Sequence, residues 1–362
     1  MRGIIHQHRI HRYLVILSPA FLEGSLASLT INVNADYRCS YNVFMKNICD
    51  ASTDAHRPRF AFIIISYNTA ALTRAGLDSI RRYAAGIPHE VIVADNGSSD
   101  GSAITLPQEF PEAQVLALGQ NLGFAGAANR AVGLATAPWL ILFNSDVELL
   151  ADTMAKLEDL LARHPNIRIL GGQLLNPDGS LQRSVWTKRS SWRFEDKHQN
   201  VELMEVEGII GAFMVIHHEL WRQLGGMDED FFLYYEETDF FWRARKEGAA
   251  VHWSPHVRVL HHRGGSTDRV NLRSKVEFCR SQDRFNRKYL PPLRYRAFRA
   301  IKGVSIAFNA ASNFLLCGLT LGLLKKTRNR LRWYAHLLHW RLRGSPAEWG
   351  LRSGGRNGDG PS

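Results

Sequence analysis

Four short apolar runs, each closing on a polar turn, most constrain what this chain can fold into. They are Ala61–Ser66, Glu90–Asp95, Gln114–Leu118 and Trp139–Phe143. A strand buried on both faces reads as a continuous apolar run instead of an alternating one. Amphipathic helical stretches follow the first, third and fourth, at Thr73–Tyr83, Phe124–Ala135 and Ala151–Arg163. Strand–helix alternation with short links predicts an α/β fold. It is an α/β/α sandwich on a mostly parallel central sheet, which binds ligands at the carboxyl ends of its strands. Later strands are expected at Ile210–Ile216 and Ala250–Leu260. Residues 176–206 are polar and loop-rich, with Trp186 and Trp192 inside. Such a segment reads as a lid or acceptor wall, or as a surface excursion.

The polar motifs fall where that sheet would use them. Ser66-Tyr67-Asn68 follows the first run, and Asp95-Asn96-Gly97-Ser98-Ser99-Asp100-Gly101-Ser102 follows the second. Asn-Gly and Asp-Gly form tight turns. Asp95 is placed to accept hydrogen bonds from a pyrimidine N–H or a ribose hydroxyl. Gly119 to Asn129 is glycine-rich and opens a helix, which lets backbone approach a ligand closely. Asn144-Ser145-Asp146 ends the fourth run, and a strand-end carboxylate can hold a divalent cation against a diphosphate. In Gly225–Gly248, acids and aromatics interleave through Asp228, Phe231, Tyr235, Glu236, Glu237 and Asp239. That mixture suits carboxylates at a pocket rim, where burial and like charge raise a pKa towards general-base duty. It also suits an acidic first turn complementing a helix dipole. Asp239 stands four residues before Arg243, ion-pair spacing on one helix face. His261-His262 follows the last strand, and adjacent residues of an extended chain face opposite ways, so one of them serves any given metal.

In this order the motifs resemble those of the family 2 glycosyltransferases, especially the rhamnosyltransferase-like branch, over roughly residues 60–265. The resemblance implies the nucleotide-sugar transferase fold and inverting transfer of a sugar from a nucleoside diphosphate to an acceptor hydroxyl. Donor binding falls to Ser66, Asn68, Asp95, Asn96, Gly97, Asn121, Gly123, Asn129 and Asn144. Asp95 takes the base. Asn144 stands where the family's metal signature usually has Asp, so Asp146 is the ligand, and His261, 24 residues after Glu237, completes the shell of a Mg2+ or Mn2+ ion. The second acid of the pair, Glu237, is the catalytic base; Glu236 orients it or meets the acceptor, and Asp239 belongs to the same catalytic cluster. A dTDP-deoxysugar is the favoured donor and a UDP-hexose the second. The acceptor is a glycan or lipid-linked sugar of the cell envelope.

Charge separates the two ends of the chain. Net charge is +11, yet residues 263–343 hold 19 Lys or Arg against three acids. A basic tail on a slightly acidic body predicts an anionic partner surface. No nucleic-acid motif accompanies it, which leaves a membrane face. Ile306–Leu324 is uncharged but polar in places, and Lys325, Lys326, Arg328, Arg330 and Arg332 follow with Trp333, Tyr334 and Trp340. This reads as an interfacial basic helix or as a helical cap on the catalytic domain. Four cysteines without CxxC spacing exclude a disulfide framework and a structural zinc site, which fits a cytoplasmic protein, peripheral at the inner face of the plasma membrane. The expected divisions are an N-terminal extension at 1–57 with no periodic pattern, read as disordered, a catalytic domain at 58–265, a basic helical region at 266–343 and a flexible tail at 344–362. A competing reading is a catalytically inactive sugar- or nucleotide-binding relative serving as a membrane scaffold; intact Asp146 and Glu237 argue against it.

Overall fold

The structure, a computed structural model, describes residues 57–187, 194–262, 272–321, 323–346 and 349–351. Apart from Arg57, the N-terminal extension lies outside the described residues, as do Trp192 and residues 352–362 of the tail. The strands are β1 (Phe60–Ser66), β2 (His89–Asp95), β3 (Ala113–Ala117), β4 (Trp139–Asn144), β5 (Val147–Leu149), β6 (Ile169–Leu175), β7 (Val185–Trp186), β8 (Met204–Val206), β9 (Gly208–Ile209), β10 (Phe213–His217) and β11 (Val251–His261). The helices are α1 (Ala70–Tyr83), α2 (Ser102–Glu109), α3 (Gly123–Val132), α4 (Thr153–Arg163), α5 (Phe194–Lys197), α6 (His218–Gln223), α7 (Glu236–Lys246), α8 (Leu272–Tyr289), α9 (Pro292–Leu319) and α10 (Lys325–Leu342).

The main sheet runs β3-β2-β1-β4-β10-β6-β11-β5, with β8 also on β11. Strands β1 to β4 pair parallel. β10 inserts antiparallel between β4 and β6, and β11 then runs parallel to β6. Successive residues of β1 serve opposite faces. Ala61 and Ile63 join one buried cluster, whereas Phe60, Phe62 and Ile64 join the other. Two covered faces are why the run reads as continuous rather than alternating. Each large side chain so buried contributes about 1.5–3 kcal/mol relative to exposure.

β6, with Gly171-Gly172 at its centre, is not among the expected strands. Glycine is needed there for approach. A Cβ on Gly171 would lie 2.6 Å from the Ile209 side chain, and one on Gly172 would lie 2.5 Å from the Val257 carbonyl. Beyond the sheet, α8, α9 and α10 pack around Val276, Ile306, Leu337 and Trp340. α9 leaves Ile301, Val304, Phe308 and Phe314 exposed. By length and composition it is the one described helix able to cross a membrane.

Candidate functional site

The first two motifs are braced by hydroxyls and acids. Ser66 is buried at the end of β1, its Oγ 2.9 Å from Thr73 Oγ1 and 3.2 Å from Thr69 Oγ1. The Thr69 hydroxyl donates to Ser145 Oγ at 2.9 Å, which ties the first motif to the turn after β4. Asn68 adopts φ +55° and accepts the Ser99 N–H on Oδ1 at 2.8 Å. Asp95, buried at the end of β2, accepts the Ser102 hydroxyl at 2.8 Å and the Ser98 N–H at 3.1 Å. Gly97 takes φ +77°, and a Cβ there would lie 2.7 Å from the backbone of Gln120.

Three asparagines expected to reach the donor also hold loop to loop. Asn96 accepts the Leu122 N–H at 2.8 Å and donates to Asn121 Oδ1 at 3.0 Å. Asn121 Oδ1 also accepts the Gly123 N–H at 2.9 Å. Asn129 clasps both backbone groups of Met227, accepting from its N–H at 3.0 Å and donating to its carbonyl at 2.9 Å. Gly123, at φ +77°, abuts Phe232, whose carbonyl accepts the Phe124 N–H at 2.8 Å. These side chains are committed to joining the glycine-rich segment to the second motif and to the acidic block.

The geometry of strand pairing brings Asp146 and His261 together. Asp146 lies in the turn between β4 and β5, and β5 runs antiparallel to β11 with Val147 opposite His261. The His262 N–H donates to the Asp146 carbonyl at 2.9 Å. His261 Nε2 stands 3.4 Å from Asp146 Oδ1. His262 turns away, with Nε2 2.5 Å from Glu148 Oε1. One oxygen and one imidazole nitrogen form a donor set that suits Mg2+ or Mn2+. Among the described residues no third His, Cys, Asp or Glu joins them. That fits an ion held by one or two protein ligands while phosphate oxygens and water complete its shell.

The acidic block forms a strained turn entering α7. Tyr234 and Tyr235 both adopt left-handed backbone, at φ +68° and +70°, a conformation that non-glycine residues keep only when surroundings enforce it. α8 does so. The Tyr235 hydroxyl accepts from Gln282 at 2.9 Å, its ring lies 5.4 Å from that of Phe285, and the Ser281 hydroxyl donates to the Leu233 carbonyl at 2.9 Å. Glu236 is buried, with no hydrogen-bond partner for Oε2 among the described residues. Glu237 is half-buried and passes over Gly211, where a Cβ would stand 3.8 Å from its Cγ. The neighbouring Ala212 carbonyl accepts the Asn144 N–H at 3.0 Å. Glu237 therefore borders the end of β4, beside the Asp146 turn.

Burial raises the pKa of both glutamates. Glu236 goes furthest, because the Glu237 charge adds to its burial, whereas backbone N–H groups at the helix start restrain Glu237. The pair as a whole therefore binds a proton more tightly than free glutamates do, and Glu236 more so than Glu237. Asp239, expected in the catalytic cluster, has the surroundings of an anchor. Its carboxylate is fully buried and accepts from Arg243 Nε at 2.7 Å, Lys288 Nζ at 2.7 Å and the Tyr289 hydroxyl at 2.6 Å. Arg243 also donates to the carbonyls of Leu224 and Gly226, fixing the Gly225-Gly226 turn. The sequence carried no signal for Gly211, Gln282, Lys288 or Tyr289, which lie outside every motif.

Comparison with known proteins agrees with this arrangement. Residues 61–225 match the family model described as Glycosyl transferase family 2. The chain is similar to an N-acetylglucosaminyl-diphospho-decaprenol L-rhamnosyltransferase of Mycobacterium tuberculosis, 29% identical over 243 residues, which is 58% of this chain and 79% of that protein. It is also similar to a low-salt glycan biosynthesis hexosyltransferase of Haloferax volcanii, 26% identical over 187 residues, covering 48% of this chain and 58% of that one. The mannosyltransferase PcManGT from Pyrobaculum calidifontis, solved in complex with GDP-Man and Mn2+, shares the fold with a TM-score of 0.51 and 20% identity, over 79% of this chain and 87% of that one. Sheet, motif order and sequence match converge: residues 61–225 are a family 2 glycosyltransferase domain, and the protein that carries them is a glycosyltransferase.

Proposed function

We propose that the protein is an inverting, metal-assisted transferase of cell-envelope glycan synthesis. It moves a sugar, rhamnose foremost, from a nucleoside diphosphate to a hydroxyl of a lipid-linked acceptor. The observation carrying this reading is that Glu237, over Gly211 beside the end of β4, and the Asp146–His261 pair, in the turn that follows β4, stand on neighbouring segments of one sheet. Glu237 takes the acceptor hydroxyl proton as that oxygen bonds to the anomeric carbon. The bond from that carbon to the diphosphate breaks on the opposite face, so configuration inverts. A positioned base of this kind contributes about 10²–10⁴-fold. Held by Asp146 and His261, the Mg2+ or Mn2+ ion supplies charge neutralisation for the leaving diphosphate.

The name of the mycobacterial relative supports a deoxyhexose donor and a polyprenyl diphosphate acceptor. A dTDP-deoxysugar is accordingly the first donor to try and a UDP-hexose the second. Such an acceptor supports a position at the cytoplasmic face of the plasma membrane. The exposed apolar side of α9 and the basic run opening α10 fit that surface, where each Lys or Arg contributes about 1 kcal/mol near anionic lipid. The decisive test is hydrolysis of a nucleotide-sugar panel by purified protein, with the anomer of the transferred sugar assigned by NMR. Retention of configuration would overturn the single-base mechanism. Sedimentation with phosphatidylglycerol liposomes should fall with salt and with deletion of residues 325–362; indifference to both refutes the membrane reading.

A further inference from the structure

We infer that Gln182 is a positioning residue for the cation site, fixing which nitrogen of His261 faces Asp146. The inference rests on the metal reading above and concerns a residue outside every motif of the site. Gln182 is buried just beyond β6, where its N–H donates to the Leu174 carbonyl at 2.8 Å. β6 and β11 are neighbours, with Leu174 opposite Val259 and Leu175 opposite Leu260. Gln182 lies on the segment that folds back onto the end of β6, and its side chain reaches His261 at the end of β11.

The amide of Gln182 has one sensible orientation. Its Nε2 donates to the His261 carbonyl at 2.5 Å and to the Leu175 carbonyl at 3.2 Å. Both partners are acceptors only, so a flipped amide would set oxygen against oxygen twice. Oε1 is thereby aimed at His261 Nδ1, 2.9 Å away. An amide oxygen accepts and never donates, so Nδ1 carries the hydrogen. Nε2 is left to face Asp146 Oδ1 across 3.4 Å, as a ligand nitrogen. One glutamine side chain holds the ring by its Nδ1–H and, through the carbonyl, by the backbone of the same residue. Partners that orient a ligating histidine in this way typically change metal affinity 10–100-fold.

The test uses the full-length protein with UDP, Mn2+ being titrated and the free ion followed by EPR. Gln182→Met, close in volume but with no acceptor, should weaken Mn2+ binding by about 10–100-fold. In a His261→Ala background the same substitution should have no further effect, because Gln182 acts through that ring. An undiminished effect in that background, or wild-type affinity in Gln182→Met alone, overturns the inference. Nitrogen-15 histidine NMR of the unsubstituted protein gives an arm independent of folding in the variants. His261, assigned by difference from His261→Ala, should show a protonated Nδ1 with or without Mg2+ and UDP; a bare Nδ1 refutes the role of Gln182. If the unsubstituted protein takes up no Mn2+, the metal reading falls, and the Nδ1 assignment decides this inference by itself.

Discussion

Replacing Asp239 by Asn separates an anchor from a catalyst. The substitution keeps the shape of a side chain that is fully buried between three donors at 2.6–2.7 Å. Whichever way the amide turns, its NH2 faces a donor: Arg243 on one side, or Lys288 and Tyr289 on the other. Burial alone would lower the pKa of Lys288, but its hydrogen bonds to Asp228 and Asp239 outweigh that and push it up to about 12. The lysine thus stays charged and loses one of its two counter-charges, Asp228 remaining, while Arg243 loses the carboxylate it pairs with. Removing one partner of a buried ion pair costs about 3–5 kcal/mol. The Arg243 and Lys288 side chains are 21% and 35% exposed, so water recovers part of this and the lower end, about 3 kcal/mol, applies. At about 2–4 °C per kcal/mol for a large domain, Tm should fall by about 6–12 °C. Thermal melting followed by circular dichroism reads that loss, and turnover is measured on the same samples well below Tm. Lys288→Met should reproduce part of it, and the two changes should add to less than their sum. An Asp239→Asn protein that melts with the unsubstituted protein yet has lost turnover like a base variant refutes the argument and returns Asp239 to the chemistry.

Glu237→Gln should keep Tm within about 2 °C and lose about 10²–10⁴-fold in turnover, with donor affinity by calorimetry nearly unchanged; an active Glu237→Gln protein removes the base assignment. Glu236 predicts a pH effect on stability. An unfolded glutamate releases its proton near pH ~4.3, whereas the folded protein holds that of Glu236 to higher pH. The folded state then binds more protons, so stability falls as pH rises above ~4.3 until Glu236 ionises in place. Glu236→Gln cannot ionise and should lessen the fall of urea-unfolding free energy above pH ~4.3, leaving the share of Glu237; an unchanged slope refutes the role given to Glu236. Asp146→Ala should abolish metal-dependent transfer in a folded protein, and full activity of the unsubstituted enzyme in excess EDTA would sink the metal-assisted mechanism.

The parts legible in the sequence are those whose cause is local. β1, β2 and β4 announce themselves because two covered faces demand unbroken apolar runs. The order of motifs along the chain, Asp95 before Asp146 before Glu237, follows from strand ends. Strand alternation says that one of His261 and His262 serves a given metal, the family's spacing prefers His261, and the structure pairs His262 with Glu148. What stayed hidden depends on distance. β6 has no local sign, because the reason for Gly171 and Gly172 is a neighbour, Ile209 or Val257, that no window contains. Asn96, Asn121 and Asn129 look like ligand contacts, since an amide bonding a loop and one bonding a nucleotide share the same letter. Asp239 looked catalytic because two of its three donors belong to a basic stretch that composition alone assigned to a surface.

The latch between α8 and the acidic turn has a consequence for how the enzyme is made. Its four hydrogen bonds, from Ser281, Gln282, Lys288 and Tyr289, span 47 to 50 residues. A ribosome adding about 5–20 residues per second needs about 3–10 s to cross that interval. Throughout it, the strands bearing Asp95 and Asp146 have already left the tunnel, while Tyr234 and Tyr235 have nothing to hold them in left-handed backbone. On the roles proposed above, a nascent chain acquires its donor loops before its base, and the turn that carries Glu237 is latched only after Tyr289 has left the tunnel.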